Sequence, residues 1–113
     1  MCPEYEKPVE AVISRLKQET HLNTDKLGLW GVSMGGYYAP RAAAFCKGVS
    51  ACISLSGPFD LSQCFGNLPE LTASAVVHRS GSTGEAEIKK FTKRMSLKGV
   101  ASKIECPLYI VSG

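Results

Sequence analysis

The chain has 113 residues, of which 44% are apolar and 20% charged, and a formal net charge of +3. A chain of that size buries roughly two-thirds of its unfolded surface, enough for one core and not two. The mild, scattered positive charge excludes a polybasic nucleic-acid binder, and the one local basic group, Lys89, Lys90, Lys93 and Arg94, reads as a solvated helix face.

Residues 3–20 read as a helix. Pro3 suits a first turn, Glu4 and Glu6 sit near the positive end of the dipole, and Val9, Val12, Ile13 and Leu16 make one apolar stripe. A polar connection follows from His21 to Lys26. Leu27 to Val32 is a short strand without polar alternation, as expected where both faces are covered. A helix begins at Gly35 and runs to about Cys46, with small alanines that let it lie close to a sheet. Pro40 deletes one backbone hydrogen bond there, which predicts a kink or an irregular first turn.

Val49 to Ser56 is a second apolar strand, ended by Gly57-Pro58, so residues 27–56 form a βαβ unit with a right-handed crossover. Pro58 to Arg79 reads as irregular, anchored by Phe59, Phe65 and Leu68. Residues 80–84 read as a flexible link, with capping-box spacing between Ser82 and Glu85. A helix over 85–95 shows Ile88, Phe91 and Met95 on one face. A short helical segment over 97–103 and a third strand over 107–111 complete the chain. The fold class is therefore α/β, with three parallel strands at about 27–32, 49–56 and 107–111 and flanking helices.

The five cysteines are odd in number and no pair is spaced C-x-x-C. Cys46, Cys52 and Cys106 sit in or beside apolar runs. This pattern predicts reduced thiols in a cytoplasmic protein and no disulfide framework or metal site. No apolar run approaches the about 20 residues that span a membrane, and no secretory signal opens the chain. No membrane or nucleic-acid partner is expected.

Chemistry concentrates in Gly31-Val32-Ser33-Met34-Gly35-Gly36. The spacing G-x-S-x-G, with a strand before and a helix after, fits a nucleophile elbow. Such a serine takes a strained positive φ on a very tight turn, which lifts its hydroxyl clear of the backbone. The residues two before and two after it approach each other, and glycine at 31 and 35 removes the clash. The N–H of Met34, at the start of the helix, is a candidate oxyanion donor; one such donor is typically worth about 3 to 4 kcal/mol. A dinucleotide or phosphate loop is disfavoured, because the spacing is neither G-x-G-x-x-G nor G-K-[ST].

Three stretches, "LGLWGVSMGGYYAPRAAAF", "ACISLSGPFDL" and "LKGVASKIECPLYIVSG", resemble the α/β-hydrolase superfamily. "GVSMGGYYAPRAAAF" and "GPFD" are similar to the group around 2,6-dihydropseudooxynicotine hydrolase and the fungal polyketide-shortening hydrolases. The resemblance implies a central piece of an eight-stranded sheet, with residues 1–113 one incomplete core and 58–96 part of a cap. It implies that Ser33 attacks a carbonyl carbon of a small-molecule ester, or of a C–C bond beside a ketone, without cofactor. It places the acid and the histidine beyond Gly113, so the isolated chain is expected to turn over little.

Of the chain's own titratable groups, His21 reads as a solvated helix-end cation and His78 as a surface residue. Glu85 and Glu87 read as helix N-terminal charge. Asp60 reads as a turn residue, with an acid role or a place in the substrate site as the alternative. Tyr37 or Tyr38, Phe59 and Phe65 are further candidates to line the pocket. A rival reading is a non-catalytic hydrolase-like chain that folds by self-association or with a partner, because an apolar strand edge would be open.

Overall fold

In a computed structural model, residues 1–112 are described. The helices are α1 (Glu6–Leu16), α2 (Gly35–Phe45), α3 (Leu61–Cys64), α4 (Glu70–Ser80) and α5 (Glu85–Arg94). The strands are β1 (Leu27–Val32), β2 (Val49–Leu55) and β3 (Leu108–Val111), all parallel in the order β1-β2-β3. Short 3-10 turns lie at Phe65–Asn67 and Ala101–Lys103. No helix among the described residues is long and apolar enough to cross a membrane.

The three-strand α/β architecture read from the sequence is the one observed, and the strand limits agree to within a residue. Several local expectations are corrected. Helix α1 starts at Glu6, later than expected, because the preceding segment is used as a tether. Pro3 is buried and its carbonyl accepts the Tyr37 hydroxyl at 3.1 Å. Ile13 is buried and Val9 and Leu16 half-buried, whereas Val12 points to solvent.

The stretch 58–79 is largely helical, not irregular. Its main helix, α4, has Pro69 at the N-cap, Glu70 in the first turn, His78 and Arg79 in the last turn, and Gly81 at φ 71 closing the end. Ser82 does not cap α5. Its hydroxyl pairs with that of Ser80 at 2.8 Å, while Glu87 accepts the Thr83 N–H at 2.8 Å. Between 97 and 103, only Ala101–Lys103 is helical, as a 3-10 turn.

Two bodies of packing organise the chain. On one face of the sheet, Ala39 and Ala43 of α2 pack on Cys52 of β2, and Ala42 meets Ile13 of α1. Their small side chains bring the helix axis close to the strands. The second body gathers Leu61, Val76, Ile88, Met95 and Leu97 around Tyr37 of α2. Cys46 and Cys52 are buried and Cys106 half-buried; all five cysteines are free.

The expectation that β1 is covered on both faces fails. Trp30 is 73% exposed and Val32 53%; Ile53, paired with Trp30, and Tyr109, paired with Ile53, are also exposed. Within these residues, helices lie on one face only.

Candidate active site

Strand β1 ends at Val32, and the next residue, Ser33, has φ 55. Left-handed geometry costs a non-glycine residue roughly 1–2 kcal/mol. Two backbone hydrogen bonds hold it there. The Ser33 N–H donates to the Leu55 carbonyl at 2.8 Å, and the Ser33 carbonyl accepts the Gly36 N–H at 2.8 Å. The side chain is exposed, and its hydroxyl makes no hydrogen bond among the described residues.

The turn around Ser33 is closed by glycine contacts. A Cβ placed on Gly31 would lie 1.7 Å from the Gly35 carbonyl oxygen, so no side chain fits. The expected reciprocal clash at Gly35 is absent: a Cβ there meets nothing within 4 Å. Gly35 meets Gly31 through its carbonyl, and its own Cβ direction leads into open space. The second close approach is at Gly36, whose Cβ would come within 2.6 Å of the Gly57 Cα. Gly31, Gly36 and Gly57 therefore let backbone pack on backbone.

Met34 is the N-cap of α2, and no backbone hydrogen bond uses its N–H among the described residues. Ser33 and Met34 border an open cleft of about 310 Å³, together with Ser56, Leu61, Leu68 and Ser112. Ser56 follows β2 as Ser33 follows β1. It has φ 53, and its N–H donates to Val111 at 2.7 Å. The sequence reading missed Ser56. Its signal, a serine before Gly57-Pro58 at a strand end, is much weaker than a serine set between glycines.

The other predicted residues lie elsewhere. Tyr37 is fully buried. Its hydroxyl donates to Pro3 and accepts from Arg41 Nη1 at 3.3 Å, and burial pushes its pKa up. Tyr38 stacks on Tyr5, with ring centroids 4.0 Å apart, and burial pushes its hydroxyl up to about 12. Neither tyrosine lines the Ser33 cleft. Phe59 is 53% exposed and borders a separate pocket of about 140 Å³. Phe65 borders an open groove beside α5.

Asp60 caps α3, accepting the Ser62 N–H at 3.0 Å and the Ser62 hydroxyl at 2.6 Å, with Lys98 Nζ at 3.5 Å. The Ser62 hydrogen bond, helped by Lys98, holds its carboxyl below the usual range. His21 is exposed beside Glu19, and His78 is exposed on α4; neither borders the cleft. Among the described residues, no group of three or more His, Cys, Asp or Glu is placed to hold a metal. The fold thus brings together Ser33, Met34 and the glycines, and separates them from Tyr37, Phe59 and Asp60.

No protein-family model matches the chain. The chain is 32% identical over 111 residues to the 2,6-dihydropseudooxynicotine hydrolase of Paenarthrobacter nicotinovorans, covering 97% of itself and 30% of that protein. It is 36% identical over 72 residues to the alpha/beta hydrolase psoB of Aspergillus fumigatus, covering 58% of itself and 16% of that protein. A crystal structure of 2,6-dihydroxy-pseudo-oxynicotine hydrolase superposes with a TM-score of 0.86 at 31% identity, over 96% of this chain and 31% of that one. An esterase of Pyrococcus furiosus, Pf2001, shares the fold at a TM-score of 0.57 and 21% identity, over 91% of this chain and 38% of that one. The chain spans about a third of the length of its full-length match. By its parallel strands and by this likeness along nearly all of its residues, the chain belongs to the α/β-hydrolases.

Proposed function

We propose that Ser33 is the nucleophile of a serine hydrolase, in a strand-to-helix elbow, acting on an ester or on a C–C bond beside a ketone. The observation that carries this reading is the backbone of Ser33. A left-handed serine, exposed and with an unengaged hydroxyl, is held at the strand end by a glycine that admits no side chain. Strain of this kind persists where the surrounding structure enforces it, and it favours a functional role.

The chemistry follows from position. Ser33 Oγ adds to the carbonyl carbon while a base takes its proton. The Met34 N–H, at the positive end of α2, stabilises the oxyanion; collapse expels the leaving group, which takes the proton from that base, and leaves an acyl-serine that water then hydrolyses. A serine hydroxyl without a base in hydrogen-bond reach is a weak nucleophile. Neither His21 nor His78 borders the cleft, so the reading assigns base and acid to residues outside these 113, and little turnover to the 113 alone. Residues 58–96 act as a partial cap in this reading. Leu61 and Leu68 line the cleft and favour a small carbonyl substrate with an apolar part. The resemblance to named hydrolases supports the reaction class, and the free thiols fit a cytoplasmic site.

A fluorophosphonate probe tests the assignment. Slow labelling over hours, mapped to Ser33 by mass spectrometry and absent in Ser33→Ala, is expected. Labelling of another residue, or none at Ser33, removes the nucleophile. Fast stoichiometric labelling of Ser33 would instead show that these 113 residues hold their own base.

A further inference from the structure

Pro40 lies inside α2 and has no N–H, so the carbonyl four residues earlier, that of Gly36, loses its helical partner. That carbonyl is not left empty. The Ser54 hydroxyl, on β2 and 5% exposed, donates to it at 2.7 Å. Gly36 is also the residue whose N–H holds the Ser33 carbonyl at 2.8 Å, and its Cα is pressed against Gly57. A continuous path therefore runs from β2 to the turn: Ser54 hydroxyl to Gly36 carbonyl, and Gly36 N–H to Ser33 carbonyl.

We infer that Ser54 is a positioning residue, which with Pro40 fixes the start of α2 against β2 and so sets the place of Ser33 Oγ and the Met34 N–H. A regular helix would satisfy the Gly36 carbonyl from its own residue 40, and nothing in that bond would refer to the sheet. Replacing that donor with a hydroxyl on β2 ties the first turn of α2 to the strand whose Leu55 carbonyl holds the Ser33 N–H. A buried acceptor needs a donor, so the side-chain bond is not optional once proline is present. The inference rests on reading Ser33 as the nucleophile, and it deepens that reading.

The test exploits the proline. Ser54→Ala removes the donor, and adding Pro40→Ala returns a backbone N–H that can bond Gly36. At a temperature where circular dichroism shows each protein folded, two rates are read: fluorophosphonate labelling of Ser33, and amide hydrogen exchange at Ser33 and Gly36, the two N–H groups bonded in the turn. Ser54→Ala is expected to slow labelling about tenfold and to speed exchange at the turn. The double variant is expected to recover both to within about twofold of the parent protein.

Unchanged labelling and exchange in folded Ser54→Ala would overturn the inference, as would a double variant no better than the single one. If Ser54→Ala does not fold, the double variant decides. Folded and labelled like the parent, it supports the inference; unfolded, it overturns it. Should the parent protein itself take no label at Ser33, the nucleophile reading fails, and the exchange rates alone decide whether Ser54 sets the turn.

Discussion

The two faces of the sheet are built from the same kinds of residue and treated in opposite ways. On one face, Cys52 and Ser54 lie under α2 and are almost inaccessible. On the other, Trp30, Ile53 and Tyr109 form a row across all three strands and are exposed. Hydrophobicity alone does not distinguish the two, since the covered face carries Ser54 while Trp30, Ile53 and Tyr109 stand on the open one. Steric fit does. On the covered face the chain supplies small residues and glycines at the points of closest approach, and there the backbone of α2 comes down onto the strand ends. The cleft forms where that close packing stops, at the C-terminal ends of β1 and β2.

The sharpest way to break the contrast is at the glycines. Gly31→Ala would put a Cβ 1.7 Å from the Gly35 carbonyl oxygen, so the strand-to-helix turn has to open. A loss of about 3 kcal/mol or more is expected, read as a lower urea midpoint, or no cooperative unfolding at all. Gly35→Ala, four residues on, meets open space and adds a better helix former at the start of α2. It is expected to leave stability unchanged or raise it by about 0.5 kcal/mol. Equal losses at the two positions would mean that backbone contact does not shape the turn.

How much of this was legible in the sequence depends on how far each cause reaches along the chain. The limits of β1 and β3 were readable because short apolar runs end in turn residues. The serine between glycines was readable because its strain and its relief are neighbours in sequence. Gly36 against Gly57 was not, since that contact spans a whole strand and leaves no local trace. Helix α4 was missed because Thr72, Val76 and Val77 weaken its periodicity and only Val76 is buried, although Pro69, Glu70 and Gly81 marked its ends. Tyr37 was drawn toward the site by sequence proximity to Ser33, but the turn of α2 sends it into the core beside Pro3. The bare face was unreadable in principle: an apolar strand looks the same whether or not these residues supply its cover.

A middle-sized effect compares adjacent residues on opposite faces. Cys52 is 1% exposed, and burial pushes its thiol up to about 11, so it behaves as a small apolar side chain. Cys52→Ser would bury a hydroxyl without a partner and is expected to cost about 1–3 kcal/mol. Ile53→Thr keeps the β-branched shape on the open face and is expected to change stability by less than about 0.5 kcal/mol. Thermal unfolding of the two variants under one buffer gives both numbers, and reversal of their order would show that the face named as covered is the weaker contributor.

The smallest effect concerns what holds the covering helices to each other. Arg41 of α2 forms a two-point ion pair with Glu6 of α1, Nε to Oε2 at 2.7 Å and Nη2 to Oε1 at 3.2 Å. Both side chains are largely shielded, at 13% and 14% exposure. The hydrogen bond to Glu6 raises the already high pKa of Arg41, so it stays charged at any working pH. For Glu6, burial is the largest single influence and pushes the carboxyl up. The hydrogen bonds from Arg41 and the backbone together outweigh it, and the folded pKa falls below the ordinary 4.5. A carboxyl lowered on folding stabilises above its unfolded pKa, and that stabilisation disappears as pH falls through the folded value. The stability curve should therefore fall in acid, and Glu6→Gln should flatten that fall while costing about 1–2 kcal/mol at neutral pH. Because the pair touches only the covered side, the acid loss should leave the Ile53→Thr difference unchanged. If that difference changed with pH as well, the two faces would be coupled through the sheet instead of standing independently.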